Sequence, residues 1–292
     1  MAGRAMMPVM SSLSPVEIPA ALGLIAGGGS YPWQLARSAR AQGVRRVVAF
    51  AFKGHTERVI QKYADETIWL RMGQVEVLKE AIRNADVRQM VMAGRIRPTV
   101  LFHLRPDARA LAILNSLPTK NAHTLFGALA EELKGVGVDF LPACAFMETE
   151  MAAAGPLASR VPTPREAADI QLGAQVAKVT SGLDIGQTVV IKNGTVLAVE
   201  GFEGTDETIR RAGRLGGAGA VVVKVAKRGH DMRFDIPVIG PQTFRVLKKA
   251  RISCLAVEAG RTILLEREKL AAAADRLGLA FLAFDTPREE SG

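Results

Sequence analysis

The architecture of the first half is set by its opening stretch, Leu22-Gly-Leu-Ile-Ala-Gly-Gly-Gly-Ser-Tyr-Pro32. A short apolar run ends in three glycines, and the pattern that follows, Trp33-Gln-Leu-Ala-Arg-Ser-Ala-Arg40, is typical of a helix. Ser30 is suited to the N-cap, and proline is tolerated in the first turn of a helix. The stretch therefore predicts a strand, a glycine-rich turn and a helix.

The same alternation of strand and helix continues through the first half. Apolar runs predict strands at residues 46–52, 66–70, 88–93 and 138–142, with helical patterns between them. Strands that alternate with helices imply right-handed crossovers and a mostly parallel sheet. We therefore predict an N-terminal Rossmann-like α/β domain over residues 21–147. We expect the preceding tail, residues 1–20, to begin with an expression remnant.

The second half follows a proline-rich connection. Residues 148–165 contain Arg160-Val-Pro-Thr-Pro-Arg165, which is typical of a linker between compact units. Beyond it, Asn193-Gly194 between two apolar strands is the strongest short signal for a β-hairpin. Further strands are predicted at residues 220–225, 237–240, 252–257 and 279–284. The chain is thus predicted to be an α/β protein of two domains, with a mixed α/β domain over residues 166–292.

Composition limits the partners and the compartment. The net charge of +9 favours anionic partners such as nucleotides, phosphorylated substrates or an anionic membrane surface. Nucleic acid is disfavoured, because only 5% of the residues are aromatic and the basic residues are spread over both halves. Cys144 and Cys254 lie beside apolar segments, so we expect buried free thiols and a cytoplasmic protein. No apolar run reaches the length of about 18 residues that a membrane span needs.

The densest group of charges lies in Lys224-Val-Ala-Lys-Arg-Gly-His-Asp-Met-Arg-Phe-Asp235, directly after a predicted buried strand. Side chains at the exit of such a strand line the usual ligand crevice of an open α/β sheet. Aspartates there can hold a metal ion or activate water, and cations can neutralise phosphate. The residues suited to these roles are Asp231, Asp235, Lys224, Lys227 and Arg233. The alternative is a solvated, salt-bridged loop.

Two features of the first half are candidates for anion binding. Gly27-Gly28-Gly29 lies between a strand and a helix, where backbone N–H groups can bind phosphate, although a tight turn without a ligand explains it equally well. Arg95, at the end of a predicted strand, is suited to a diphosphate or carboxylate clamp, or is part of an exposed basic loop. A nicotinamide dehydrogenase is disfavoured, because the second strand ends in Phe52-Lys53 without an acidic residue for a ribose.

A third candidate is the acidic run Glu200-Gly-Phe-Glu-Gly-Thr-Asp-Glu207 between the hairpin and a helix. We predict that Thr205 caps this helix. Glu200 and Glu203 are less well explained by capping, and they are suited to join Asp231 and Asp235 around a cation. Asp169, on the first helix of the second half, could face the same crevice. The four histidines show no metal-ligand spacing, which disfavours a structural zinc site.

Taken together, these motifs resemble the UDP-2,3-diacylglucosamine pyrophosphatases of the LpxI type, which act in bacterial lipid A synthesis. The resemblance runs through almost the whole chain from Leu22, and it is carried by Gly23-Leu-Ile-Ala-Gly-Gly-Gly29, Ala93-Gly-Arg-Ile-Arg-Pro98, Asp169-Ile-Gln-Leu-Gly-Ala174, Leu183-Asp-Ile-Gly-Gln187, Ala198-Val-Glu-Gly-Phe-Glu-Gly-Thr-Asp206 and the Lys224–Asp235 motif. One departure is His230, where the family pattern has glutamine.

The resemblance implies a Mg²⁺-dependent hydrolase that cleaves the diphosphate of UDP-2,3-diacylglucosamine to UMP and 2,3-diacylglucosamine 1-phosphate. It also implies that water attacks the phosphorus on the sugar side. It further implies a homodimer and an apolar cleft between the two domains that encloses the lipid. The basic run Lys248-Lys249-Ala-Arg251 is suited to transient contact with the inner-membrane surface, or is a solvated helix end. A non-enzymatic protein that binds a nucleotide or a lipid-linked sugar is the alternative.

Within that function we assign the candidate residues as follows. Catalysis is expected from Asp231, Asp235 and Lys224. The metal ligands are expected to be Asp231, Glu200 and Glu203. Substrate binding is expected from Gly27, Gly28, Gly29, Arg95, Thr205, Lys227 and Arg233.

Overall fold

The computed structural model describes residues 17–96, 106–119, 122–227, 233–234 and 236–286. In the first half, five parallel strands form one sheet in the order β3-β2-β1-β4-β5. The strands are β1 (Ala21–Ala26), β2 (Arg46–Phe52), β3 (Glu66–Leu70), β4 (Gln89–Ala93) and β5 (Asp139–Phe140). Because the strand order reverses between β1 and β4, the topological switch point lies there. The predicted Rossmann-like sheet is confirmed.

Helices cover both faces of this sheet, which is why its central strands are apolar on both sides. The helices are α1 (Tyr31–Ala41), α2 (Val75–Ala85), α3 (Ala108–Ser116) and α4 (Ala122–Lys134). One core lies between the sheet and α1, and it contains Leu24 and Leu35. The other core contains Phe50 of β2 and Leu78 and Ile82 of α2. The backbone at the carboxyl ends of β1 and β4 is therefore held by two packed layers.

The second half forms a mixed six-stranded sheet in the order β6-β13-β11-β9-β7-β8. Its strands are β6 (Gly155–Pro156), β7 (Thr188–Lys192), β8 (Thr195–Val199), β9 (Val221–Lys224), β11 (Cys254–Glu258) and β13 (Ala280–Phe284). Strands β9, β11 and β13 are parallel, and β7 runs antiparallel to β9. The predicted mixed α/β domain is confirmed.

Each face of the second sheet has its own helical cover. Helix α5 (Pro164–Gly182) covers one face, where Val223 and Ala256 are buried. Helices α6 (Thr205–Gly216), α7 (Pro241–Ala250) and α8 (Arg267–Leu277) cover the other face, where Val222 and Val257 are buried. Side chains of successive strand residues point to opposite faces, so Lys224 lies on the α6 face with Val222. This alternation decides which helix meets each polar side chain at the strand ends.

The hairpin between β7 and β8 is confirmed, and its turn has a specific partner. Asn193 and Gly194 have φ angles of 51° and 76°, as a two-residue turn between twisted strands requires. The buried carboxylate of Asp169 accepts hydrogen bonds from both of their N–H groups, at 2.8 and 2.7 Å. Thr188, at the other end of β7, pairs with Lys224. Asp169 therefore lies at the sheet edge opposite to Lys224, and its predicted place in the crevice is wrong.

A small two-stranded sheet joins the halves. The predicted strand at residues 237–240 is present as β10 (Val238–Ile239), but it pairs with β12 (Ile263–Leu264) and not with the main sheet. Ile263 and Leu265 belong to the apolar core between α1 and the N-terminal sheet, and Val238 packs against it. Residues of the second half thus complete a core of the first.

Residues 148–165, which we predict to be a linker, contribute to regular structure. Met151 pairs with Ile263, and β6 pairs with β13. Helix α5 begins directly after Thr163, which forms a reciprocal capping box with Glu166. The boundaries at residues 147 and 166 stay a prediction. So does the interdomain cleft, because segments that follow β4 and β9 lie outside the described residues.

Both cysteines are buried and free, as predicted. Burial raises the pKa of the Cys144 thiol, and it raises that of Cys254 to about 12. Neither thiol is therefore suited to act as a nucleophile at neutral pH. Among the described residues, no helix combines the length and the apolar character that crossing a membrane would require.

Candidate functional site

The switch point of the N-terminal sheet brings the glycine run next to Arg95. Gly27 N–H donates to Ala93 O at 2.8 Å, and Gly28 and Arg95 exchange two backbone hydrogen bonds of 2.9 and 3.0 Å. A Cβ atom on Gly27 would lie 2.9 Å from the carbonyl carbon of Gly94, so this close approach requires glycine. The ends of β1 and β4 are thus joined by backbone contacts.

These contacts limit the predicted phosphate loop. The N–H groups of Gly27 and Gly28 already donate hydrogen bonds within the protein. A phosphate would therefore have to bind the N–H groups of the residues that follow. Gly29 has a φ of 89° and open space where a Cβ would stand. It directly precedes Ser30 and the N-terminus of α1, whose dipole favours an anion. The glycine run therefore has a structural role in two of its residues and space for a ligand at the third.

The carboxyl edge of the C-terminal sheet carries the second part of the site, at the N-terminus of α6. Gly204 is the N-cap with a φ of 81°, and Thr205 is the first residue of the helix. The prediction that Thr205 caps this helix is therefore wrong. Its hydroxyl instead donates to Glu200 Oε1 at 2.8 Å.

Lys224, the last residue of β9, reaches the same helix terminus. Its Nζ donates to Thr205 Oγ1 at 2.8 Å and to Thr188 Oγ1 at 3.2 Å. It lies 3.9 Å from Glu200 Oε2, and only 9% of the Lys224 side chain is exposed. The structure therefore brings together three predicted site residues, Lys224, Thr205 and Glu200, which are separated by up to 24 positions in the sequence. Hereafter these three residues and Thr188 are called the Lys224 cluster.

One carboxylate oxygen of this cluster lacks a hydrogen-bond donor among the described residues. Glu200 Oε2 is buried and accepts no hydrogen bond from the described residues. A buried carboxylate oxygen without a donor is costly unless water, a cation or a proton meets it. Glu200 therefore fits the role of a metal ligand that we predict for it.

Glu203 has different surroundings. Arg211 donates to its Oε1 at 2.5 Å, and Thr208 donates at 3.3 Å. Partial burial works to raise the pKa of Glu203, but hydrogen bonds from its own N–H and from Arg211 outweigh this and lower the pKa. These contacts explain Glu203 as an anchor of the first turns of α6. Its predicted role as a metal ligand stays a prediction.

An ion pair connects the two halves at this place. Arg95 Nη1, at the switch point of the N-terminal sheet, lies 3.8 Å from Asp206 Oδ2 at the start of α6. The Arg95 side chain is 60% exposed, so it can reorient toward a ligand. The contact places the glycine run and the Lys224 cluster on facing parts of the two domains.

The remaining predicted cations lie along the chain that leaves β9. Lys227 forms an ion pair with Asp184. The Arg233 guanidinium stacks over the Phe234 ring, 4.8 Å from its centroid. Phe234 packs edge-on against Phe140 of β5, with ring centroids 5.7 Å apart, and it adds to the core of the N-terminal domain. The charged motif thus begins on the C-terminal sheet, and its residue Phe234 packs against the N-terminal domain.

The two aspartates that we predict to be catalytic, Asp231 and Asp235, lie outside the described residues, as does His230. In the described part of the chain, no group of three or more His, Cys, Asp or Glu side chains is placed to hold a metal ion. A complete ligand set at the Lys224 cluster would therefore need carboxylates from the Lys224–Asp235 motif.

Sequence reasoning missed a buried ion pair on the α5 face of the same sheet edge. Lys178 Nζ donates to both carboxylate oxygens of Glu258, at 2.7 and 2.8 Å, and Glu258 is 1% exposed. Burial works to raise the pKa of Glu258, but the hydrogen bonds from Lys178, Thr286 and Ala226 outweigh it and lower the pKa. A glutamate directly after the apolar run of β11 was the only signal in the sequence.

Comparisons with known proteins agree over both domains. The family model for the LpxI N-terminal domain matches residues 21–149, and that for the LpxI C-terminal domain matches residues 153–282. The chain is 33% identical over 279 residues to the UDP-2,3-diacylglucosamine pyrophosphatase LpxI of Caulobacter vibrioides, covering 92% of this chain and 98% of that protein.

Solved structures give weaker similarities. A dCMP deaminase from the cyanophage S-TIM5 has a TM-score of 0.26 and 10% identity, over 43% of this chain and all of that one. A phosphoribosylglycinamide synthetase from Anaerococcus prevotii has a TM-score of 0.23 and 15% identity, over 65% of this chain and 40% of that one. Neither value supports a functional argument.

Proposed function

The chain belongs to the LpxI family, and on that premise we propose that it hydrolyses UDP-2,3-diacylglucosamine to UMP and 2,3-diacylglucosamine 1-phosphate with Mg²⁺ as cofactor. The family assignment favours an enzyme over a protein that only binds a nucleotide or a lipid-linked sugar. The observation that carries the proposal is the contact between Arg95 and Asp206, because it brings the glycine run of one domain to the Lys224 cluster of the other.

The charges of the described cluster support the proposal of a cation in the site. Lys224 and Arg95 are balanced by Glu200 and Asp206 before any substrate arrives. A doubly ionised diphosphate would leave this group with excess negative charge. A divalent cation would offset this excess, and the carboxylate oxygens of Glu200, Asp231 and Asp235 are ligands of the kind that Mg²⁺ prefers. When bound, the ion would supply charge stabilisation and a more acidic water molecule.

In the proposed reaction, this chain's residues bind the diphosphate and orient the attack. Lys224 and the N-terminus of α6 stabilise charge on the phosphoryl oxygens, as preorganised donors do in other sites. Arg95 and the Gly29 region bind the nucleotide or the sugar phosphate, and Lys227 and Arg233 add positive charge. Asp231 accepts the proton of the attacking water. The new P–O bond forms at the phosphorus on the sugar side, and the bridging oxygen leaves with UMP.

The test is the release of UMP from UDP-2,3-diacylglucosamine by the purified protein. Turnover is expected with Mg²⁺ and not with EDTA, and Asp231→Ala should abolish turnover while the far-UV circular dichroism spectrum stays that of the wild type. UMP release by the wild type in EDTA would remove the metal from the proposal. Full turnover by the Asp231→Ala protein would remove Asp231 from the mechanism.

We also propose that the protein is a cytoplasmic homodimer that meets the inner membrane through a basic surface on α6 and α7. Four cations line one depression of about 460 Å³: Arg210, Arg245, Lys248 and Lys249. Each cation near an anionic membrane contributes about 1 kcal/mol of attraction. Flotation with phosphatidylglycerol vesicles should weaken for Lys248→Glu/Lys249→Glu and not for the control Lys62→Glu. Light scattering after gel filtration should give the mass of a dimer.

A further inference from the structure

The chain that leaves β9 passes between two buried polar groups on opposite faces of the sheet. The alternation along β9 places Lys224 on the α6 face, in the Lys224 cluster. The alternation along β11 places Glu258 on the α5 face with Ala256, where it meets Lys178. Both groups lie at the carboxyl edge of the parallel strands, the edge at which open α/β sheets bind ligands.

The Lys178–Glu258 pair holds the peptide groups of one residue, Ala226. Glu258 Oε2 accepts a hydrogen bond from Ala226 N–H at 2.8 Å, and Lys178 Nζ donates to Ala226 O at 3.0 Å. Thr286 donates to the other carboxylate oxygen of Glu258. Lys178 thus has three acceptors for its three protons, and a buried ion pair is tolerated only when its hydrogen bonds are satisfied in this way.

Ala226 is also the last residue before the charged motif departs from the sheet. Its neighbour Lys227 is paired with Asp184, and Phe234 is packed against Phe140 of the other domain. The described residues on either side of Asp231 are therefore held, Ala226 by the C-terminal domain and Phe234 by its contact with the N-terminal domain. A small shift of a catalytic group from its productive position can cost a large factor in rate.

We propose that Lys178 and Glu258 are positioning residues, which fix the chain at Ala226 so that the segment carrying Asp231 starts from a defined place. The proposal rests on the function given above, because its kinetic readout is UMP release. An apolar pair of similar volume would avoid the cost of burying two charges, but it would leave the buried peptide groups of Ala226 without partners. What an apolar pair cannot do is bind the N–H and the C=O of Ala226 together.

The first test compares two lysines that each form a short ion pair with a glutamate. Lys178→Met removes the donor to Ala226, and Lys79→Met removes the matched Lys79–Glu132 pair on the helices of the N-terminal domain. We expect Lys178→Met to lower kcat for UMP release at least tenfold with KM within twofold of the wild type, and Lys79→Met to leave kcat within twofold. Equal kcat values for both variants would overturn the proposal.

A second variant separates positioning from stability. Lys178→Met/Glu258→Gln leaves no unpaired buried charge, so its Tm should lie above that of Lys178→Met. Its kcat should stay at least tenfold below the wild type, because Ala226 O still lacks its ammonium donor. A kcat that returns to the wild-type value together with the Tm would show that the pair is only structural.

Hydrogen exchange gives a readout that does not need the substrate. A peptide over residues 224–227 should exchange at least tenfold faster in Lys178→Met than in the wild type, and at an unchanged rate in Lys79→Met. An unchanged rate in Lys178→Met would refute the anchoring of Ala226. If the wild type releases no UMP, the proposed function fails, while this comparison still decides whether the pair fixes the chain.

Discussion

Lys224→Met tests the Lys224 cluster directly. The substitution keeps most of the volume of the side chain, but it removes the ammonium group that lies 2.8 Å from Thr205 Oγ1 and 3.9 Å from Glu200 Oε2. A preorganised donor that meets charge in a transition state is worth about 2.7–4 kcal/mol. We therefore expect kcat for UMP release to fall by a factor of about 10²–10³, measured at saturating substrate and 25 °C.

The same change should lower stability by a calculable amount. Unit charges about 4 Å apart attract by about 4 kcal/mol at an effective dielectric constant of about 20, and removing one partner of a buried pair costs about 3–5 kcal/mol. At about 2–4 °C per kcal/mol, the Tm should fall by roughly 6–20 °C.

The matched control is Lys192→Met on the neighbouring strand. Lys192 Nζ donates to Gly216 O at 2.6 Å, so this variant also loses a lysine hydrogen bond, but at the opposite edge of the sheet. Its kcat should equal that of the wild type. A Lys224→Met protein with wild-type kcat, or an equal loss in both variants, would refute the role given to the cluster.

Three further predictions concern the scaffold. Gly94→Ala should destabilise the protein by about 1–3 kcal/mol in urea unfolding, because a Cβ would lie 2.8 Å from Pro32 Cγ at a residue whose φ is 93°; an unchanged midpoint would contradict the close approach. Asp169→Ala should cost about 1–3 kcal/mol by leaving the N–H groups of the hairpin turn without an acceptor, and kcat should not change; a loss of kcat in a folded variant would return Asp169 to the active site. Arg109 and Lys79 lower the pKa of Glu132 from 4.5 to about 2, so its stabilisation is present above pH 4.5 and is lost as the pH falls toward 2; the stability difference between the wild type and Glu132→Gln should be about 1–2 kcal/mol at pH 6 and smaller at pH 3, and a constant difference would exclude this linkage.

Local patterns in the sequence predicted the architecture because they reflect local physics. The apolar runs of the parallel strands, the glycines after β1 and the Asn193-Gly194 turn each specify backbone geometry over a few residues. Two short pairings escaped prediction, β6 with β13 and β10 with β12, because strands of two residues carry no periodicity. Their partners are chosen by tertiary packing alone.

The site was predictable in part for a similar reason. Lys224, Glu200 and Arg95 lie at strand ends, so topology brings them to the edges where ligands bind. Thr205 was expected to cap α6, but Gly204 occupies that position because its φ of 81° favours glycine. Lys178 and Glu258 are 80 residues apart, and a single lysine on a long helix gives no sign of its partner. The role of Asp169 was unpredictable for the same reason, since the N–H groups that it binds lie 24 and 25 residues away.

The central claim is hydrolysis of the diphosphate at the phosphorus on the sugar side. The most direct measurement is ³¹P NMR of the reaction run in ¹⁸O-labelled water with Mg²⁺ and UDP-2,3-diacylglucosamine. We predict that the label enters 2,3-diacylglucosamine 1-phosphate and that UMP is released without it. Label in UMP would place the attack on the other phosphorus, and an absence of both products would contradict the proposed function.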